Sequence, residues 1–277
     1  MASKGFLFYA KGEEFVKQAI LSAMSIRVTN KDILISIMTN DDVDPKFNSL
    51  FDNIIPVPWV DNDNTFYQIN NRWKTYHATP YDQTIVLDTD TLVLQNIDMW
   101  WKFLNNYDLF FLTKAYSYRK EVITSNYYRK AFEKNNLPNI YTGFHFIKKS
   151  DFSHEFFKWL ELVTHNWELF YGSFCKEYYP KYPSYDLSVA IVNKILNCTE
   201  LTTNLKTDLF EFVHMKPHVQ GWKYPGKCWI NQVGSYLTDD LNLLIGNYKQ
   251  TGVFHYTEND FVTDQILSKY ERYLGYE

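Results

Sequence analysis

The sequence predicts an α/β domain with a mostly parallel central sheet flanked by helices, and three observations predict it. Over the first 95 residues, stretches of strand character alternate with stretches of helical spacing, the pattern of parallel strands joined by crossover helices. One apolar stretch, Thr84-Ile85-Val86-Leu87, ends in two aspartates, Asp88 and Asp90, and open sheets of this kind bind ligands beyond the carboxyl ends of their strands. The 277 residues are 45% hydrophobic and show no internal repeat, low-complexity segment or linker, so one domain over 1–277 is expected.

Taken in order, residues 5–10 read as a first strand. Residues 13–27 read as a helix, because Phe15, Ala19, Ile20 and Ala23 recur at helical spacing. Residues 32–39 form a second strand, closed by the polar turn Asn40-Asp41-Asp42. A short third strand over 54–57 is cut by prolines, residues 70–78 are helical, and 84–87 is the strand that carries the carboxylates. The second half is less regular. Strands are expected over 109–112, 143–147 and 252–256, helices over 152–165 and 188–196, and a helical or frayed tail over 270–277.

Composition narrows the function. A net charge of −4 argues against a dominant electrostatic grip on nucleic acid. Three cysteines without CxxC or Cys/His spacing give no zinc signature and point to a reducing, cytoplasmic setting. The amino-terminal stretch is too poor in apolar residues for a signal peptide, and no run of about 18 apolar residues offers a membrane span. Aromatic residues make up 18% of the chain, which suits sugar rings and nucleobases but is first of all core packing.

The carboxylate pair carries the chemistry. In an extended backbone the i, i+2 spacing sets Asp88 and Asp90 on one side. Two such carboxylates repel unless a cation sits between them, and Mg²⁺ or Mn²⁺ prefers oxygen ligands and bridges phosphates. A metal-held diphosphate at the end of a buried strand is the expectation.

Six elements then occur in a telling order: Phe6-Leu7-Phe8-Tyr9-Ala10 with Phe15 to Ala19 behind it; Arg72; Leu87-Asp88-Thr89-Asp90-Thr91-Leu92-Val93 with Asn96-Ile97-Asp98; Tyr141-Thr142-Gly143-Phe144-His145-Phe146; Tyr185-Asp186-Leu187; and Val253-Phe254-His255-Tyr256. This order resembles the GT-A glycosyltransferases, and within them the glycogenin-like retaining group. The resemblance implies a GT-A, Rossmann-like fold with a nucleotide-binding part over about 1–95 and an acceptor and sugar part over about 96–277. It implies a UDP-sugar donor and Mn²⁺ or Mg²⁺ held by Asp88, Asp90 and His255. Phe8, Tyr9, Ala10, Arg72 and Thr89 join the aspartates as nucleotide contacts, and Asp186 with Arg72 serves the sugar and phosphates. The sequence departs from the pattern at Tyr141-Thr142, where the family has Asn-Ser, at Leu187 in place of Gln, and at Thr257-Glu258-Asn259-Asp260, where the family has Lys-Pro-Trp.

Several readings stay open in the sequence. His214, in Phe212-Val213-His214-Met215 ahead of Lys216-Pro217, rivals His255 as third ligand, and Lys74 rivals Arg72. Asp186 has an alternative as a helix-capping carboxylate. Trp100-Trp101 reads as an acceptor platform or as core; the basic aromatic runs 116–120 and 127–130 read as an anion-binding or a solvated insertion. The acceptor is open among glycan, lipid-linked glycan, protein and modified nucleobase. A non-catalytic nucleotide-sugar binder and a nucleotidyltransferase are the competing functions; the latter lacks a glycine-rich loop at Ala10-Lys11-Gly12.

Overall fold

Strand β1 (Lys4–Tyr9) runs through the middle of the molecule, parallel to β2 (Leu34–Met38) on one side and β4 (Gln83–Leu87) on the other, with β3 (Asn53–Ile55) beyond β2. Its side chains alternate between two cores: Phe6 and Phe8 enter one hydrophobic cluster, Leu7 the other. Both faces are covered, which is why these strands read as near-continuous apolar runs. Beyond β4 and a short strand β5 (Thr91–Val93), strands β6 (Leu109–Leu112) and β7 (Tyr141–Lys148) complete the six-stranded order β3-β2-β1-β4-β7-β6. Only β7 runs against the others in that sheet, antiparallel to both β4 and β6.

The computed structural model describes residues 2–59, 68–123, 129–215 and 227–276. The part of the basic run that falls on 124–128, and Lys216-Pro217, lie outside the described residues.

Helix α1 (Glu13–Thr29) links β1 to β2 and is buried almost all round from Gln18 to Ile26. Gly12 precedes it at φ 101°, a left-handed turn that favours glycine, and its N–H donates to Asp41 Oδ2 at 2.6 Å. The expected helix over 70–78 is a 3₁₀ stretch (Gln68–Lys74) running into a single α turn, α2 (Thr75–Ala78). Helices α3 (Asp98–Leu104) and α4 (Lys130–Lys134) flank β6 in the chain. Helices α5 (Asp151–His165), α6 (Trp167–Phe174) and α7 (Tyr185–Ile195) supply the core on the Leu7 side. Ser150 caps α5 by accepting from the Ser153 N–H. The short α8 (Thr199–Thr202) leads to β8 (Phe212–His214); an antiparallel sheet of β9 (Ser235–Leu237), β10 (Leu243–Ile245) and β11 (Tyr248–Lys249) follows, then β12 (Val253–His255). The chain closes with α9 (Asp264–Leu274), which ends on left-handed Gly275 and begins earlier than the tail expected over 270–277.

Trp100 and Trp101 are both core residues. Trp101 meets Phe6 and Phe146 edge-on, and Trp100 packs against Phe144 and Phe210, so the platform reading fails for both.

Candidate active site

The carboxylates do not lie along a strand. Leu87 ends β4, residues 88–90 turn, and the chain leaves the main sheet as β5. The turn is stitched from below by the polar positions of α1. Thr89 donates its hydroxyl to Gln18 Oε1 (2.9 Å), Ser22 shares a hydrogen bond with Thr91 (3.2 Å), and the Val93 N–H donates to Ser25 Oγ (2.9 Å). This accounts for three buried polar residues in an otherwise apolar helix. From above, the Asp88 N–H donates to the Gly143 carbonyl (3.0 Å), and the Tyr256 N–H to the Asp90 carbonyl (3.1 Å).

Strand β5 pairs antiparallel with β12, in a register that sets His255 opposite Thr91, one residue from Asp90. His255 Nε2 lies 2.9 Å from Asp90 Oδ2 and 3.9 Å from Asp88 Oδ2. The ligand atoms of Asp88, Asp90 and His255 all lie within 4.8 Å of one another. His214, on the parallel neighbour β8, stands behind His255, its Nδ1 3.0 Å from His255 Nδ1. Of the two rivals, His255 joins the carboxylates.

Two oxygens and one imidazole nitrogen are a donor set suited to a divalent cation such as Mn²⁺. The backbone leaves room for it. A Cβ on Gly143 would come within 3.1 Å of Asp88 Oδ2, 3.2 Å of His255 Nδ1 and 2.9 Å of Phe212 Cζ, so glycine keeps that wall clear. The donor set and the space around it fit a divalent cation.

Arg72 also arrives. Its guanidinium pairs with Asp88 Oδ1, donates to the Thr142 carbonyl (3.3 Å) and lies over the Tyr185 ring at 4.6 Å. Burial pulls its pKa down, but Asp88, then Tyr185, Asp186 and Asp90, outweigh it and leave the value raised. Lys74 is spent elsewhere, buried with its ammonium on the Trp59 carbonyl at 2.6 Å.

Asp186 sits in the first turn of α7, but its carboxylate turns toward β7. Oδ1 accepts from the Thr142 N–H (2.9 Å) and hydroxyl, and Oδ2 pairs with Arg129 at 3.0 Å. Arg129 is the residue that sequence reasoning missed. Far from a solvated insertion, it is buried, lies 3.6 Å over the Tyr141 ring and donates to the Ile140 carbonyl at 2.7 Å. A basic residue amid tyrosines was the available signal, because a guanidinium stacks on aromatic faces.

The expected nucleotide contacts at the end of β1 divide. Phe8 and Ala10 are buried, with the Ala10 N–H bonded to the Met38 carbonyl, so their side chains belong to the core. The Thr89 hydroxyl is likewise engaged in the interior. Tyr9 keeps partial exposure, and burial, the largest influence, raises its pKa.

A cavity of about 680 Å³ opens over Asp88, His255 and Asp186. Arg72, Asp88, Gly143, Asp186, His214 and His255 line it, together with the 178–184 segment. That segment carries Tyr178, Tyr179 and Tyr182, all exposed.

No protein-family model matches the chain, and no curated protein sequence does. Among solved structures, it is similar to mouse xyloside xylosyltransferase 1, with a TM-score of 0.51 at 10% identity over 93% of this chain and 98% of that one. The fold is that of the GT-A glycosyltransferases. The galactosyltransferase LgtC, solved with donor and acceptor sugar analogues, gives a TM-score of 0.49 at 13% identity over 99% of this chain and 100% of that one. GlyE of Streptococcus pneumoniae TIGR4 gives 0.43 at 14% identity over 74% of this chain. The chain spans 45% of the GlyE chain and 52% of the bifunctional glycosyltransferase WbbM. No helix among the described residues is long and apolar enough to cross a membrane.

Proposed function

We propose that this protein is a metal-dependent glycosyltransferase of the glycogenin-like retaining kind, moving a sugar from a UDP-sugar to an acceptor. The observation that carries this reading is the meeting of Asp88 and Asp90, at the end of β4, with His255, which lies some 165 residues further along the chain. Asp88 and Asp90 hold a divalent cation, Mn²⁺ or Mg²⁺, with His255 as the nitrogen ligand. When bound, the cation stabilises the charge on the departing diphosphate as a Lewis acid.

The chain's own residues supply the rest. Arg72 fixes one oxygen of Asp88, which leaves Oδ2 on the His255 side, and adds positive charge beside the phosphates. Asp186, oriented by Thr142 and Arg129, lies on the same cavity wall and holds sugar hydroxyls. Tyr9 stacks on the uracil, and the end of β1 reads its edge. The exposed tyrosines of 178–182 give a sugar-bearing acceptor apolar ring faces to pack on. Transfer on one face needs no separate strong base, because the departing phosphate takes the acceptor's proton.

Calorimetric titration of UDP, with and without Mn²⁺, tests the donor half. Metal-dependent binding that disappears in Asp90→Asn is the expected result; metal-independent or absent UDP binding in the parent protein refutes it. Donor binding with no release of nucleotide in the presence of acceptor sugars would instead favour the non-catalytic binder.

A further inference from the structure

His214 lines the cavity but does not join the cluster of Asp88, Asp90 and His255. It lies 5% exposed on β8, directly across from His255 in the parallel register of β8 and β12. The two rings stand 4.7 Å apart, centre to centre, and tilt by 46°. Their Nδ1 atoms face each other at 3.0 Å, while the far nitrogen of His255, Nε2, faces Asp90 at 2.9 Å.

This arrangement constrains protons. Two ring nitrogens at hydrogen-bond distance share one proton between them; two lone pairs there would repel, and so would two N–H groups. A neutral imidazole carries a proton on one nitrogen only. If His255 Nε2 offers its lone pair to a cation, its proton sits on Nδ1 and must be donated to His214 Nδ1. Were the proton on Nε2 instead, it would point at the carboxylates and the ring could not ligate. Ligating histidines are commonly held by a partner on the second nitrogen, which fixes tautomer and ring orientation.

We propose that His214 is a positioning residue whose Nδ1 accepts the His255 Nδ1–H and so presents His255 Nε2 as a lone pair to the metal. The inference rests on the metal-site reading above. A purely steric role is the alternative, because Phe212 packs on both rings, 5.9 Å from His214 and 5.6 Å from His255. The two are separable. In His214→Asn the amide oxygen falls near the position of Nδ1 and keeps an acceptor; His214→Phe keeps the ring and loses it.

The experiment is a titration of Mn²⁺ into the nucleotide-free proteins, followed by the electron paramagnetic resonance signal of free Mn²⁺. His214→Phe is expected to bind about ten- to hundredfold more weakly than the parent, and His214→Asn to stay within about threefold of it. Pulsed measurements on the parent are expected to show one imidazole nitrogen on the metal. Equal affinity in His214→Phe and the parent overturns the inference and leaves the metal site standing. Equal weakening in His214→Asn and His214→Phe reduces His214 to a steric role and overturns it too. Two imidazole nitrogens on the metal would make His214 a ligand, with the same consequence. A parent that binds no Mn²⁺ overturns both this inference and the metal reading. Should His214→Phe fail to fold, the parent loaded with diamagnetic Zn²⁺ decides by long-range ¹H–¹⁵N correlation. His255 protonated at Nδ1 and His214 at Nε2 is expected, and the reverse pair of tautomers overturns the inference.

Discussion

The two acidic clusters of the cavity are built on opposite electrostatic plans. Around Asp186, one carboxylate meets one guanidinium and two Thr142 donors, so its charge is answered within the protein. Around Asp88 and Asp90, two carboxylates meet one guanidinium and a histidine whose charge depends on protonation. The first is a finished structural unit that orients one side chain. The second, among the described residues, gathers two carboxylates and an imidazole, a donor set suited to a cation. Neighbouring acidic groups thus divide into one whose charge is answered, left to meet neutral hydroxyls, and a pair suited to a cation, and the partners around them decide which is which.

Substitutions can break or sharpen that contrast. The largest effect is expected for Asp90→Asn, which removes ligand charge without changing shape. Turnover should fall about a thousandfold or more, with the thermal midpoint nearly unchanged, as judged by released UDP and a thermal melt. A loss of folding in place of activity would move Asp90 into the structural class.

Arg129→Leu attacks the finished unit and should act on stability first. It leaves the half-buried Asp186 without its guanidinium and held by Thr142 alone, at about 1–3 kcal/mol by denaturant unfolding. In the double variant with Asp186→Asn the combined loss should be clearly smaller than the sum of the two single losses. Additive losses would show that the two side chains do not answer each other.

Gly143→Ala probes the wall between the clusters. Its Cβ would press on Asp88, His255 and Phe212, and a cost of about 1–3 kcal/mol is expected, together with weaker Mn²⁺ binding. Wild-type metal affinity in that variant would mean that the site has more room than its geometry gives.

The smallest effect concerns pH. His145 is buried on β7, its Nδ1 donating to the Thr142 carbonyl at 3.0 Å, and burial, then the nearby Arg72, push its pKa down to about 3. The unfolded chain, near 6.5, therefore binds the proton first, so His145 favours the folded state above that value and loses this contribution as pH falls toward 3. Between pH 6 and 5 the parent should lose about 1 kcal/mol more than His145→Phe, measured by urea unfolding at both pH values. Equal losses would show that His145 is not held neutral.

Most of the parallel half was legible in the sequence, because a strand buried on both faces leaves an unbroken apolar run, as in Thr84 to Leu87. The carboxylate pair was legible for the same reason: two charges after such a run stand out. Its geometry was not, since residues 88–90 turn out of the sheet and extended-strand alternation does not set their directions. His255 was found by its place in a motif order, and the choice over His214 needed the register of β12 against β5. Arg129 showed only as a basic residue amid tyrosines, because its burial depends on Asp186 and Tyr141, which only tertiary structure brings to it. The strands β9 to β11 were missed because two or three residues are too few to show a period.

The reversal of β7 has a consequence for protein engineering. Because β7 runs against its neighbours, it is the entry to this strand that meets Asp88, not its exit. Residues 129–140, which precede it and include α4, are thereby delivered to the cavity and bring Arg129 with them. Exchanges at Ala131 and Phe132, which line the cavity from this connection, would therefore remodel its rim with the Asp88, Asp90 and His255 framework left in place.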